Sequence, residues 1–151
     1  MTAILVPLDG SKLAERVLPF TQDLAKKLKA KVRFIEVVDP TLKAADAGLA
    51  ESPEMIDIIL ADIEKNKEAA KDYLASMTTV WRALELDADW EVVEGRPATE
   101  IVEAARAHQV DMIAMCTHGR SGLAQVVFGS VANEVLRESG LPVLLVRPRG
   151  K

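Results

Sequence analysis

Residues 3–8 have the sequence AILVPL, a continuous apolar run that ends at the turn residues Asp9-Gly10-Ser11. A strand that is buried on both faces, as in a parallel sheet, has this kind of unbroken apolar sequence. Ser11 is suited to cap a helix, because its hydroxyl can accept a hydrogen bond from an N–H group of the first turn. The start of the chain therefore predicts a buried strand, a turn and a helix, which together form the first unit of an α/β fold.

The same alternation of strand and helix continues to the end of the chain. Apolar or alternating segments predict four further strands, at Val32–Val38, Asp87–Glu94, Asp111–Met115 and Pro142–Val146. Helical spacing of apolar residues predicts four helices. The first covers Ala14–Leu28 with a kink at Pro19, the second begins at Ser52-Pro53, the third follows Gly95-Arg96-Pro97, and the fourth covers Ser130–Glu138. Residues 40–52 have no period and predict a loop. The pattern indicates one domain over residues 1–151, a doubly wound parallel sheet of five strands with helices on both faces.

Composition restricts the class of protein. The chain has 151 residues, of which 49% are hydrophobic and 28% charged, with a net charge of −4 and one cysteine, Cys116. These values are typical of a globular domain and argue against a disulfide framework or a general nucleic-acid binder. No apolar run reaches the ~20 residues of a membrane span. The first residues do not resemble a signal peptide, so we expect a cytoplasmic protein.

Two segments are expected to meet at the ligand-binding edge of such a sheet. Ligands bind outside the carboxyl ends of parallel strands, where Pro7-Leu8-Asp9 and the loop Cys116–Ser130 should both lie. In that loop Gly119 allows an unusual backbone conformation, and Gly129-Ser130 stands where a helix begins, so free N–H groups there could hold a phosphate. The pair could equally be only a turn and a helix cap. The sequence lacks both the GxxxxGK[ST] and the GxGxxG phosphate motifs.

Three segments resemble the universal stress protein family in order and spacing. They are VPLDGS at residues 6–11, SGLPVLLVRP at residues 139–148, and the positions of a G-x2-G-x9-G-[ST] motif, occupied here by Cys116, Gly119, Gly129 and Ser130. The resemblance implies a five-stranded, Rossmann-like sheet of the adenine nucleotide alpha hydrolase type, with strand order 3-2-1-4-5. It also implies ATP, ADP or AMP as ligand, with Mg2+ as an accompanying ion.

The resemblance assigns roles to individual residues. Asp9 would contact the adenosine, Pro7 and Leu8 would line its pocket, and the backbone of Val37 would meet the adenine edge. Phosphate donors would be the backbone or hydroxyl groups of Gly119, Gly129, Ser130 and Val131, and the remaining candidates are Met115, Cys116, His118 and Arg120. Two positions depart from the family pattern: Cys116 replaces the first motif glycine, and Ala132 lacks a hydroxyl that some relatives carry.

Three classes of function follow from these observations. The first is a regulatory protein of the stress response that binds ATP or AMP and acts on a protein partner not yet known. The second is a stress-response homodimer that has lost the nucleotide and acts through protein contacts, and the cysteine in the motif favours it. The third, a slow ATPase or autophosphorylating protein, has less support, because the sequence supplies no acidic metal cluster and no evident base. In each case we expect a homodimer that forms through the last strand, residues 142–147. This strand lies at the edge of the sheet, and the family resemblance implies the same dimer.

Overall fold

The computed structural model describes residues 1–41, 52–117 and 129–147. These residues contain a five-stranded parallel sheet in the order β3-β2-β1-β4-β5. The strands are β1 (Ala3–Pro7), β2 (Lys31–Val38), β3 (Ala88–Glu94), β4 (Met112–Cys116) and β5 (Val143–Val146). The helices are α1 (Leu18–Leu28), α2 (Pro53–Ala83), α3 (Pro97–Ala107) and α4 (Ser130–Ser139), and a short 3₁₀ helix, Ala14–Val17, precedes α1. The predicted fold class and strand order are confirmed.

The sheet is covered by one layer of helices on each face. On one face Val6, Phe34 and Ala114 pack with Val17 and Ala25 near the N-terminus and with Leu74 and Trp81 of α2. On the other face the alternate strand residues Leu5, Ile35 and Ile113 pack against α3 and α4. Since successive strand residues point to opposite faces, an unbroken apolar run is what the two layers require. None of the helices within the described residues combines the length and low charge that a membrane crossing requires.

The start of α1 differs from the prediction. Pro19 does not kink the interior of a helix, because the α-helix begins at Leu18, directly after the 3₁₀ turn. Proline at the second helical position is tolerated, since the N–H groups of the first turn have no partner within the helix. The other predicted elements are present with ends shifted by one or two residues. Of the predicted loop over residues 40–52, Pro40 and Thr41 are helical, contrary to the prediction, and residues 42–51 lie outside the described residues.

The two outer strands have different chemical character. On β3, Asp89 Oδ2 lies 2.8 Å from Arg33 Nη2 and Glu91 Oε1 lies 2.9 Å from His108 Nε2. Charged side chains on an edge strand disfavour pairing with another chain. The described part of β5, at the opposite edge, has the sequence VLLV and carries no charge. The sheet therefore has one charged edge strand and one apolar edge strand.

Candidate functional site

A cleft of about 810 Å³ opens at the carboxyl edge of the sheet, within the size range of small-molecule sites. It lies where the strand order reverses between β1 and β4, which is where doubly wound sheets bind their ligands. Its walls come from the ends of β1, β2 and β4, from the middle of α2, and from the first turns of α3 and α4. The architecture thus brings segments distant in sequence to one concave surface.

The wall that follows β1 is ordered by a chain of short hydrogen bonds. Asp9 Oδ1 accepts hydrogen bonds from the backbone N–H of Ser11 at 2.9 Å and from its hydroxyl at 2.5 Å. Ser11 Oγ in turn accepts one from the N–H of Ala14, the first residue of the 3₁₀ helix, at 3.1 Å. The N-cap position is Leu13, not Ser11 as predicted, so Ser11 holds the start of this helix from two residues further back. The residues that the structure describes donate no hydrogen bond to Asp9 Oδ2. As far as the described residues are concerned, this oxygen is available to accept one from a ligand.

The opposite wall is the N-terminus of α4. The N–H of Gly129 donates to the carbonyl of Thr117 at 2.6 Å and fixes the helix against the end of β4. The first bond within the helix runs from Asn133 N–H to Gly129 O, and no side chain caps this end. Within the described residues, the N–H groups of Ser130, Val131 and Ala132 therefore remain free in the first turn. The helix dipole adds a positive potential at the same place.

Gly129 has an ordinary extended conformation, with φ −66° and ψ 158°. The backbone at this position therefore does not require glycine for its torsion angles. The Gly129 N–H, predicted as a phosphate donor, is already bonded to the carbonyl of Thr117, so the phosphate donors that α4 can supply begin at Ser130.

Cys116, the departure from the glycine motif, is buried in the core of the protein. Its side chain is buried among the residues of the α1 and α2 face, and Sγ donates to the carbonyl of Leu13 at 3.1 Å. Burial raises the pKa of the thiol above its ordinary value, which keeps it protonated near neutral pH. The cysteine thus connects the end of β4 to the wall after β1 and behaves as a packing residue, not as a reactive thiol.

The α2 wall contains groups that the sequence patterns did not single out. Tyr73 Oη donates to Glu15 Oε2 at 2.6 Å, and Asn66 and Ala69 lie on the same side of the cleft. Tyr73 carries a hydroxyl within the otherwise apolar stripe of α2. This polar group could have identified Tyr73 as a candidate site residue from the sequence. Thr117, at the end of β4, is also part of the lining, and its buried hydroxyl has no hydrogen-bond partner among the described residues.

Charge is distributed unevenly around the cleft. The charged side chains among its described lining residues are Asp9, Glu36 and Asp39, all acidic and all at the ends of β1 and β2. The positive potential comes from the free backbone groups of α4 at the other end. The described part of the cleft is therefore polarised along its length.

Nine of the twelve residues predicted for the site line this cleft: Pro7, Leu8, Asp9, Val37, Met115, Cys116, Gly129, Ser130 and Val131. The other three, His118, Gly119 and Arg120, lie outside the described residues. Whether any of the twelve contacts a nucleotide stays a prediction. The structure places the nine described residues on one surface, which is the condition that the prediction requires.

Comparison with known proteins identifies the family. A sequence model of the universal stress protein family matches residues 1–147. The chain belongs to the universal stress protein family. Universal stress protein MJ0531 of Methanocaldococcus jannaschii is 35% identical to this chain over 146 residues, which cover 95% of this chain and 81% of MJ0531. Stress response protein NhaX of Bacillus subtilis is 27% identical, over 95% of this chain and 96% of NhaX.

Solved structures of universal stress proteins have the same fold. The structure of MJ0577, also from M. jannaschii, superposes with a TM-score of 0.86 at 27% identity and covers 99% of this chain and 98% of its own. A universal stress protein from Arabidopsis thaliana with AMP bound has a TM-score of 0.69 at 15% identity, covering 99% and 94% of the two chains. Another, in complex with cAMP, has a TM-score of 0.59 at 24% identity, covering 97% and 96%. Because these last two proteins are less than 25% identical to this chain, their similarity shows the fold alone.

Tyr73 gives this universal stress protein an internal pH probe, because it is the only tyrosine in the sequence. Burial, and then the hydrogen bond to Glu15, raise its pKa above the ordinary value of about 10. The folded state therefore keeps the phenolic proton longer than the unfolded state, so its contribution to stability is complete below about pH 10 and is lost above it. Tyrosinate absorbance should appear at higher pH in native than in urea-unfolded protein. Glu15→Gln should lower the native pKa only in part, and equal titration curves for native and unfolded protein would contradict this assignment.

Proposed function

We propose that this universal stress protein binds an adenine nucleotide in the cleft and acts as a regulatory protein of the stress response. The observation that carries the proposal is the polarity of the cleft: acceptors lie at one end and free backbone donors at the other. A nucleotide has the complementary polarity, with hydroxyl and amino donors on the nucleoside and negative charge on the phosphate. The two ends thus support this ligand class and this orientation.

The nucleoside belongs at the ends of β1 and β2. Asp9 holds its own turn with Oδ1 and leaves Oδ2 free to accept a hydrogen bond from a ribose hydroxyl. Pro7, Leu8 and Val37 supply apolar or backbone surface around it. The acidic groups at this end repel phosphate, which supports the same orientation.

The phosphate belongs at the N-terminus of α4. Three successive N–H groups, from Ser130 to Ala132, have no partner among the described residues, and together with the helix dipole they would form an anion site that needs no lysine. Gly129 leaves room for a phosphate to approach the backbone. Gly119, His118 and Arg120 remain candidates for further phosphate contacts by resemblance to the family motif. The described residues contain no group of three or more potential metal ligands, so we assign Mg2+ no protein ligand there.

The family supports an adenine ligand. Two universal stress proteins of the same fold have been crystallised with AMP and with cAMP. Both ligands carry an adenosine and a single phosphate. The polarised cleft of this chain supports the same ligand class, with ATP, ADP and AMP as the nucleotides to compare.

The proposal predicts that purified protein carries its ligand. Protein isolated from cells, desalted and then denatured should release an adenine nucleotide in an amount proportional to the protein. Chromatography with mass spectrometry identifies the nucleotide and its phosphate number. An equally treated Ser130→Glu variant, with negative charge at the phosphate end, serves as the control and should release far less. Release of equal, trace amounts from both proteins would contradict the proposal.

We further propose a homodimer in which β5 of one subunit pairs with β5 of another. Ile113 N–H donates to Pro142 O and Thr117 N–H to Val146 O, so residues 142 and 146 face β4. By alternation the N–H groups of Val143 and Leu145 face the open edge. This edge is apolar and lacks the charges that protect β3, and pairing about a two-fold axis would cover it.

Val143→Pro should convert the dimer to a monomer. The change removes an outward N–H donor and leaves the hydrogen bonds between β4 and β5 intact. Light scattering at micromolar concentration measures the mass of wild type and variant. A monomeric wild type, or a dimeric variant with unchanged affinity, would contradict pairing through β5.

A further inference from the structure

Helix α2 is longer than the sheet that it covers. Its 31 residues span about 46 Å, whereas the eight residues of β2 span about 26 Å. Residues buried against the sheet begin at Ile63 and continue to Trp81. The first turns of α2, residues 53–62, contain no buried residue, and only Ile59 among them packs against the cluster at the end of β2. We call these residues the overhang.

The apolar stripe of α2 continues into the overhang, where it is exposed. Ile56, Ile59, Leu60 and Ile63 follow the spacing i, i+3, i+4, i+7 and therefore share one face of the helix. Ile63 is buried and Ile59 packs beside it, but Ile56 and Leu60 are 46% and 55% exposed. Met55 and Ile58 widen this surface and are 37% and 63% exposed. So much exposed apolar surface on one short segment is typical of an interaction site.

The charges of this segment are all of one sign. The overhang, residues 53–62, contains Glu54, Asp57 and Asp62 and no lysine, arginine or histidine. Two overhangs from two copies of this chain would bring six carboxylates together, which disfavours a second copy as the occupant. An amphipathic helix with lysine or arginine beside its apolar face matches both the apolar stripe and the acidic flanks.

We propose that the overhang is a docking surface for a basic amphipathic helix of a partner protein. Ile56, Ile58 and Leu60 supply the apolar contacts, and Glu54 and Asp57 the complementary charge. The same helix lines the cleft further along, through Asn66, Ala69 and Tyr73. The partner would therefore lie on an element that also forms the wall of the ligand cleft.

Peptide binding tests this proposal without knowledge of the partner. The probe is a synthetic helical peptide of leucine and lysine with one apolar face, labelled with a fluorophore, and the charge control is its leucine–glutamate counterpart. Fluorescence anisotropy should give saturable binding of the lysine peptide to the wild-type protein that weakens with added salt. The double variant Ile58→Ser/Leu60→Ser should bind on the order of tenfold more weakly.

The matched control is Val80→Ser/Leu84→Ser, which removes two apolar side chains, 57% and 47% exposed, from the other end of the same helix. It should bind the lysine peptide as wild type does, and both double variants should keep the wild-type melting temperature. Equal binding by wild type and the Ile58→Ser/Leu60→Ser variant, or equal binding of the glutamate peptide, would overturn the proposal. A wild-type assembly that this variant dissociates in sedimentation would assign the overhang to a second copy and would also overturn it.

Discussion

Replacing Phe34 with alanine is expected to lower the free energy of unfolding by about 3–5 kcal/mol. Phe34 lies on β2, is fully buried, and meets Trp81 edge to face with ring centroids 5.0 Å apart. The substitution removes apolar surface and leaves a cavity between the sheet and α2, which close packing cannot easily fill. The loss is large relative to the roughly 5–15 kcal/mol total stability of such domains.

Urea denaturation followed by circular dichroism measures this change. Phe34→Leu is the matched control, because it keeps most of the volume and loses the ring contact, and it should cost less than about 1.5 kcal/mol. The slope of the free energy of unfolding against urea concentration should be the same in both variants as in the wild type. A Phe34→Ala protein within about 1 kcal/mol of wild type would mean that α2 does not pack on the sheet as described.

The fold could be predicted from sequence because local and global signals agree. The apolar run at Ala3–Pro7 and the segments that form β2 and β4 have no polar face, so a sheet covered on both sides is the arrangement that buries them. Turn and cap residues mark the helix starts, as the bond from Met55 N–H to Ser52 Oγ illustrates. The strand order depended on family resemblance, since periodicity does not determine which strands are neighbours.

The prediction at Pro19 was wrong for a physical reason. A 3₁₀ turn followed by an α-helix gives nearly the same spacing of apolar residues as one continuous α-helix. The apolar spacing therefore does not indicate the boundary at Leu18. A proline within the first turn costs little, and the chain starts its α-helix there.

The candidate site was only partly predictable. Motif residues such as Asp9 and Ser130 could be located by resemblance, but Tyr73 and Glu15 are 58 residues apart in sequence and meet only through the packing of α2. Likewise the bond from Cys116 Sγ to Leu13 O depends on tertiary structure. Sequence patterns identify residues that follow strands, and they do not identify the helix that closes the cleft.

A glutamate at position 130 should separate nucleotide binding from folding. Ser130 is exposed and is the first residue of α4, where a carboxylate favours the helix dipole, so Ser130→Glu should leave the melting temperature unchanged or slightly raised. The same carboxylate lies where the proposal puts the phosphate. Repulsion between them should weaken AMP or ATP binding on the order of a hundredfold.

Three controls distinguish this repulsion from other effects. Adenosine, which has no phosphate, should bind the variant and the wild type alike. Ser130→Ala removes the hydroxyl without adding charge and should cost much less affinity. Asn133→Glu adds the same charge to an exposed position of α4 outside the cleft lining and should bind AMP nearly as wild type does. Equal weakening by Asn133→Glu would point to a general charge effect and would contradict the placement of the phosphate.

The most direct measurement of the central claim is calorimetric titration of the wild-type protein, stripped of any bound ligand, with ATP, ADP, AMP and adenosine. The account predicts saturable binding of the nucleotides at one site per chain, with the phosphate strengthening the binding of adenosine. No heat and no thermal shift with any of them at millimolar concentration would contradict the claim that this cleft binds an adenine nucleotide.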